Sequence, residues 1–419
     1  MRRLPSFLAL ALIAGCSSRE HANPFDPENP VTHGRPPGFE ALARPQFVQL
    51  FWTRPSLSED FGYRLFRRLA GESEFHQIGS DLSGKAASYP DFNLENGKRS
   101  EYRLHYLFSG VMGGLPAEDY ATPGPLRPWC ADLSRRTLTA VTPDGHHVLS
   151  ESGGFFGPTH VAVDATRGRV WISDTYDGRV EIFNPDNQLG TSIPGFAEPV
   201  AIAVDPFDQS AWICDQARNA VFHYTAGGSP GTPSQLPGTI TTPIGVACDS
   251  ASGTVWVCAR GDNQVQRYSR TGVRLGVTTV TAPSRVAVDS LTGDAWATSF
   301  AGAGVVQISA AGEILGTVAL SGPIGVAVDA RRDRIWVADA RAGQVVAIRR
   351  GRSIEFRVGA LVETREIAVD LASGEAWVTA PGIHALVRIS ASGAVLERLA
   401  GFSDPYGIAL DPGTSRSPP

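Results

Sequence analysis

The chain reads as an all-β protein in which one strand-rich unit repeats along most of its length, and three observations carry that reading. Seven Asp residues (Asp164, Asp205, Asp249, Asp289, Asp329, Asp370 and Asp411) recur at intervals of 40 to 44 residues, each closing a short apolar run such as Val161-Ala162-Val163. Six of them are followed seven residues later by a Trp: Trp171, Trp212, Trp256, Trp296, Trp336 and Trp377. The two ends of the repeat region complement one another, because Trp129 stands in a unit that lacks the apolar run and Asp411 closes a run that has no Trp after it. A period near 41 that is completed only by joining chain ends predicts a β-propeller, here of seven blades with the C-terminal strand closing the first.

Taken in order, residues 1–16 carry Arg2 and Arg3, an apolar stretch over residues 7–13 and then Ile13-Ala14-Gly15-Cys16. This is the layout of a secretory signal. Its end resembles a bacterial lipobox, which implies lipidation of Cys16 as the mature N-terminus; an ordinary signal peptide with a chance Cys is the plainer alternative. The resemblance implies a lipid-anchored protein of the bacterial cell envelope. Ser17, in place of the Asp of the usual retention signal, implies the outer membrane where a cell has two. No other segment reaches the ~20 apolar residues needed to span a bilayer.

Residues 17–35 include Asn23-Pro24-Phe25-Asp26-Pro27-Glu28-Asn29-Pro30 and no hydrophobic period, which predicts an extended, semi-rigid linker. Over residues 36–123 the pattern turns to short alternating strands at residues 48–52, 63–66 and 101–106, as in a β-sandwich. Trp52, Tyr63-Arg64-Leu65 and Tyr89-Pro90-Asp91 give this segment a resemblance to a fibronectin type III domain, with an Ig-like fold. One departure is Ser100, which stands where many relatives have the corner Tyr, so that Tyr102 supplies the strand's aromatic. The resemblance implies a spacer or adhesion module.

The propeller is expected over residues 124–411, with 412–419 as a tail. Each repeat has four strand-like pieces, at 161–163, 169–172, 179–183 and 188–193 in one copy, separated by turn residues such as Asp177-Gly178. A four-stranded unit cannot bury both faces alone and must stack on neighbours, with the Trp as wedge. Burying ~200 Å² of indole at ~25 cal/mol per Å² contributes about 5 kcal/mol gross per repeat. The repeated Asp is expected to accept backbone N–H bonds in the turn that follows it. Asp132, Asp174, Asp215 and Asp339, three residues after their Trp, are likewise read as structural, with Ala259, Ser299 and Ala380 in their place elsewhere.

The runs Ile244-Gly245-Val246-Ala247-Cys248-Asp249 and Ile324-Gly325-Val326-Ala327-Val328-Asp329, the latter followed by Arg334-Ile335-Trp336-Val337-Ala338-Asp339, resemble NHL-type repeats. That group includes the streptogramin lyases and the gluconolactonase-like propellers. The resemblance covers residues 129–411 and implies architecture, not activity. Streptogramin lyases use a Glu and a His one residue apart with a further His, and no Glu-x-His occurs after Trp129. Gluconolactonase-like enzymes bind a divalent metal at the axis through Glu, Asn and Asp, whereas of the seven axial positions here three are Gly and Glu366 alone is of those types. No Gly-x-Ser-x-Gly hydrolase signal is present.

Candidate site residues are the exceptions to the repeat. Just before the inner strand stand Gly245, Gly325 and Gly407, but three repeats place His160, Arg285 and Glu366 there, and one Ala201. An imidazole, a guanidinium and a carboxylate at one tunnel mouth can bind an anionic or polar ligand or move a proton; alternatively they fill the tunnel and pair with one another. Phe155, Phe156, Tyr176, Phe196, Phe402 and Tyr406 form a second candidate, an aromatic sector on the outward face, opposed by loops in which Phe300 is the one aromatic. Such a patch suits a protein, peptide or glycan partner, unless the rings cap their own blades.

Of the remaining cysteines, Cys248 and Cys258 flank one hairpin about three residues out of register, roughly 10 Å apart along the strand and too far to bridge. Cys130, Cys214, Cys248 and Cys258 are read as core thiols. With 42% apolar and 19% charged residues and a net charge of −5, the chain is of ordinary globular composition and lacks the basic surface that nucleic acid requires. The sequence therefore predicts a monomeric, lipid-anchored binding or scaffold protein with no resident cofactor. The alternative is a lyase or lactonase that uses a divalent metal at the central tunnel.

Overall fold

The computed structural model describes residues 23, 25–29 and 32–411, apart from 45, 56–60, 96–97, 122, 124–126, 166, 185–186, 206, 226–233, 237–239, 250 and 303. The signal segment with Cys16 and the tail 412–419 lie outside the described residues. No described helix is long and apolar enough to cross a membrane. The chain divides into two compact units, the first made mainly of residues up to Ala121 and the second mainly of those after it.

The first unit is built of two antiparallel sheets. One holds Glu40–Arg44, Phe47–Phe51 and Ser88–Asp91, and the other His76–Ser83, Phe61–Leu69, Ser100–Phe108 and Val111–Ala121 in that spatial order. Alternation decides which side chains meet: Val48, Leu50, Trp52, Tyr63, Leu65, Tyr102, Leu104 and Tyr106 are all buried. Tyr102 Oη donates to Asp91 at 2.9 Å, so a strand of one sheet is tied to a strand of the other. The expected extended linker is corrected here. Phe25 packs edge-on against Tyr106 with centroids 5.1 Å apart, the Leu115 N–H donates to Gly34 O at 2.8 Å, and Asn29 and Thr32 are buried. Local Asx turns at Asn23 and Asp26 fold this segment back onto the sheet rather than leaving it extended.

The described residues of the second unit form seven four-stranded antiparallel sheets. Their innermost strands are Pro158–Asp164, Pro199–Val204, Pro243–Cys248, Pro283–Val288, Pro323–Asp329, Ile367–Val369 and Pro405–Asp411. Each contacts the next, and the last contacts the first, so they enclose an axis. Pro405–Asp411 pairs with Arg127–Asp132, with Ala409 opposite Trp129, which is the closure the sequence predicts. With no edge left open at the join, the repeats form a β-propeller.

The register explains the apolar run. Each of the seven Trp lies opposite an Ala of the inner strand: Ala409, Ala162, Ala203, Ala247, Ala287, Ala327 and Ala368 in order. A methyl there leaves room for the indole, which then packs into the following sheet. Trp171 lies among Ile202, Ala211 and Ile213, and Trp377 among Cys130, Val141 and Ile408 across the closure. All seven indoles are buried.

The repeated Asp residues do turn work. Asp205, Asp249, Asp289 and Asp370 accept the N–H two residues on at 2.9 to 3.1 Å, and Asp164 and Asp329 the N–H three residues on at 3.2 Å. The second Asp set fastens the loop entering each inner strand: Asp174 accepts from Phe156 and Gly157, Asp215 from Ala197 and Glu198, Asp339 from Ser321 and Gly322, and Asp132 from Ser403 and Asp404. Where Ala259 replaces it, Asp262 accepts from Thr241 instead. The four thiols are free, and Gly245, not Cys248, lies opposite Cys258.

Candidate functional site

A cavity of about 590 Å³ opens at the axis, lined by residues of all seven sheets. Two repeat positions build most of it. The residue five before each repeated Asp contributes every time: Thr159, Val200, Ile244, Ser284, Ile324, Arg365 and Tyr406. The residue four after the Trp contributes Leu133, Gln216, Arg260 and Phe300. A register shift after the Pro that opens the inner strand makes Thr159, Val200, Ile244 and Tyr406 extra residues in their ladders. Such a bulge re-aims its side chain.

The trio singled out from sequence lies one residue deeper. Arg285 Nε donates to Glu366 Oε1 at 2.5 Å, and its Nη1 to the Ile244 and Ser284 carbonyls. Both side chains line the cavity, yet only 15% and 11% of their surface is exposed. Burial would pull the Arg285 guanidinium down, but Glu366 and Tyr406 hold it above its ordinary value. His160 does not join the pair: its Nδ1 accepts the Ile202 N–H at 3.3 Å, which puts the ring proton on Nε2. Burial, reinforced by the Arg285 charge, lowers its pKa to about 3. With its free lone pair occupied and its cationic form disfavoured, this imidazole is not arranged as a general base at neutral pH.

The glycines at this depth are a packing requirement. A Cβ on Gly245 would meet Ser284 O at 2.7 Å, one on Gly325 would meet Arg365 O at 2.3 Å, and one on Gly407 would meet Thr159 O at 2.8 Å. Each such Gly precedes, around the ring, the strand that carries one of the three large residues. Small and large positions therefore alternate around the ring, except that Ala201 and Gly245 are small residues in adjacent sheets.

Nearer the rim, Arg365 lies 3.4 Å from Asp404 and over the Tyr406 ring at 4.4 Å. Arg260 is exposed, and its guanidinium has no bonding partner among the described residues. Phe300, set apart in sequence from the aromatic sector, lines the cavity with Arg341 over its ring at 4.7 Å.

The sector itself divides. Phe155, Phe196 and Phe402 are buried in the sheet cores, Phe155 against Phe183 and Phe196 edge-on to Phe222 at 5.4 Å, so they do not form an exposed patch. Their apolar surface is spent on capping their own sheets. Phe156 and Tyr176 are 56% and 67% exposed, and Tyr406 lines the cavity. Among the described residues no three His, Cys, Asp or Glu side chains come together to hold a metal ion, and Glu366 is committed to Arg285. The residues present do not fit the axial metal that the gluconolactonase resemblance implies.

No family model matches the chain, and no curated protein is significantly similar to it. Solved structures do resemble it. Virginiamycin B lyase from Staphylococcus aureus is 17% identical, with 68% of this chain and 95% of that one covered and a TM-score of 0.55. A protein of Desulfotomaculum acetoxidans described as functionally unknown is 14% identical, with 68% and 98% covered and a TM-score of 0.59. A streptogramin B lyase is 15% identical, with 60% and 86% covered and a TM-score of 0.53. At such identities the likeness is one of fold, and it places the second unit among the β-propeller proteins.

Proposed function

We propose that the chain is a binding protein of the cell envelope, anchored through Cys16, in which a fibronectin type III-like unit precedes a seven-bladed, NHL-type propeller that captures a partner at its axial cavity. One observation carries the reading: fourteen residues drawn from every sheet converge on one cavity. Its volume falls in the ~300–1,000 Å³ range of ligand sites. Beneath it Arg285 and Glu366 are occupied with each other and His160 with a backbone N–H, which favours recognition over proton transfer. The partner is a peptide, a glycan or an exposed segment of a protein, and Phe156 and Tyr176 offer exposed rings beyond the cavity. No metal or other cofactor enters this reading.

The purified full chain applied to peptide and glycan arrays tests it. Ligands should be lost in Phe300→Ala and in Tyr406→Ala and kept in Val277→Ser, an exposed outer-strand control. Ligands indifferent to both cavity substitutions would move the function to another surface.

A further inference from the structure

Resting on the reading of the axial cavity as the binding site, we infer that its ligand is a monoanion, a single carboxylate on an apolar body, held by Arg260. The charge lining the cavity is nearly but not wholly balanced. Arg285 is committed to Glu366, and Arg365 to Asp404 and the Tyr406 face. Arg260 is the remaining lining cation, and its guanidinium makes no ion pair or hydrogen bond among the described residues. Three guanidiniums face two carboxylates, so one positive charge is left over. A monocarboxylate neutralises it, and the planar fork of arginine matches a carboxylate in a bidentate pair. A phosphate dianion would bring a second negative charge toward Glu366 and Asp404, and a cationic ligand would meet Arg260 directly.

The other walls define the body of the ligand. Leu133, Val200, Ile244, Phe300 and Ile324 are apolar and span both sides of the axis, while Gln216, on the sheet next to that of Arg260, offers an amide. A ligand that sets its carboxylate on Arg260 lays its body across these side chains toward Phe300. The Arg285–Glu366 pair below forms a floor too buried and too committed to compete for it, and Arg365 nearer the rim is held by Asp404 and the Tyr406 face.

Isothermal titration with two probe pairs tests the inference: 3-phenylpropionate and its amide stand for a free acid, and N-acetyl-alanylphenylalanine and its amide for a peptide C-terminus. Each acid should bind at least about tenfold more tightly than its amide. The preference should collapse in Arg260→Gln, whose melting temperature should be unchanged because the replaced side chain is exposed and unbonded. Whichever acid binds more tightly identifies the source. Equal binding of acid and amide, sensitive to Phe300→Ala, overturns the anion assignment and leaves the cavity as a binding site. A preference that survives Arg260→Gln overturns the role of Arg260. No saturable binding by any probe overturns the inference, while the arrays judge the parent reading separately.

Discussion

The Arg285–Glu366 pair is the sharpest quantitative test of how the axis is held together. Its side chains come from the sheets whose inner strands are Pro283–Val288 and Ile367–Val369 and reach past Gly325 of the sheet between them, with 15% and 11% of their surface exposed. Truncating one partner of a buried pair strands the other charge, at a cost of about 3–5 kcal/mol. In Glu366→Leu the guanidinium keeps the Ile244 and Ser284 carbonyls, which puts the expected loss near the lower end, about 3 kcal/mol. At ~2–4 °C per kcal/mol for a unit of this size, the propeller transition in calorimetry should fall by roughly 6–12 °C. Arg285→Met should cost a similar amount by stranding the carboxylate. The double variant removes both charges and should lie within about 1 kcal/mol of the wild type, since apolar replacement of a buried pair is often neutral. The coupling from this cycle should then exceed about 2 kcal/mol. Losses that simply add would mean that the two groups do not share a charge balance and that the floor of the cavity is not a linked unit.

Two further outcomes follow from groups beside that pair. His160 has a folded-state pKa near 3 against an unfolded value near 6.5. Below about pH 6.5 the unfolded chain takes up a proton that the folded chain excludes, so stability present above that pH is lost as pH falls toward 3, at up to ~1.4 kcal/mol per pH unit. His160→Gln should flatten the melting profile between pH 7 and 4, and an unchanged slope would refute the burial of the neutral ring. Gly325→Ala places a Cβ 2.3 Å from Arg365 O and 2.9 Å from Glu366 Cα, and should cost ~1–3 kcal/mol or more by denaturant unfolding. Gly351→Ala, with nothing within 4 Å, is the control that should not move.

The architecture was legible because each blade needs the same wedge and the same turn. Trp171 and its six counterparts are set by packing against the next sheet, and Asp205 and its counterparts by the N–H groups of a tight turn, so both recur at a fixed interval. Even the Ala opposite each Trp was present in the apolar runs, although its steric reason appears only in the register. The cavity was legible in part where the exceptions pointed, since Arg285 and Glu366 line it, and otherwise one residue earlier in each repeat. His160 breaks the Gly pattern visibly, but the bulge at the strand entrance turns the preceding residue, Thr159, toward the mouth. A periodic reading has no term for that shift. Arg260 and Phe300 were findable as the position after each Trp at which residue type varies most freely. Phe155, Phe196 and Phe402 were misplaced because aromatic composition alone does not distinguish a ring that caps a core from one that faces water.

Why variation collects at these positions follows from what constrains the others. A Trp, its facing Ala and the inner Gly each meet atoms of a neighbouring strand, so a change there alters the ring. Residues five before the Asp, and Leu133, Gln216, Arg260 and Phe300 among those four after the Trp, face the open cavity and can differ from sheet to sheet without disturbing a neighbour. The lining is accordingly asymmetric: Arg260, Arg285, Arg365, Glu366, Asp404 and Tyr406 come from the sheets with inner strands Pro243–Cys248, Pro283–Val288, Ile367–Val369 and Pro405–Asp411, whereas those with Pro158–Asp164 and Pro199–Val204 give Thr159, Val200 and Gln216. A ring of similar sheets thus presents a charged arc and a neutral arc, and a ligand bound between them has one preferred orientation. The same freedom explains why a shared fold with lyases transfers no chemistry, because the residues that would carry a reaction occupy the positions the fold does not fix.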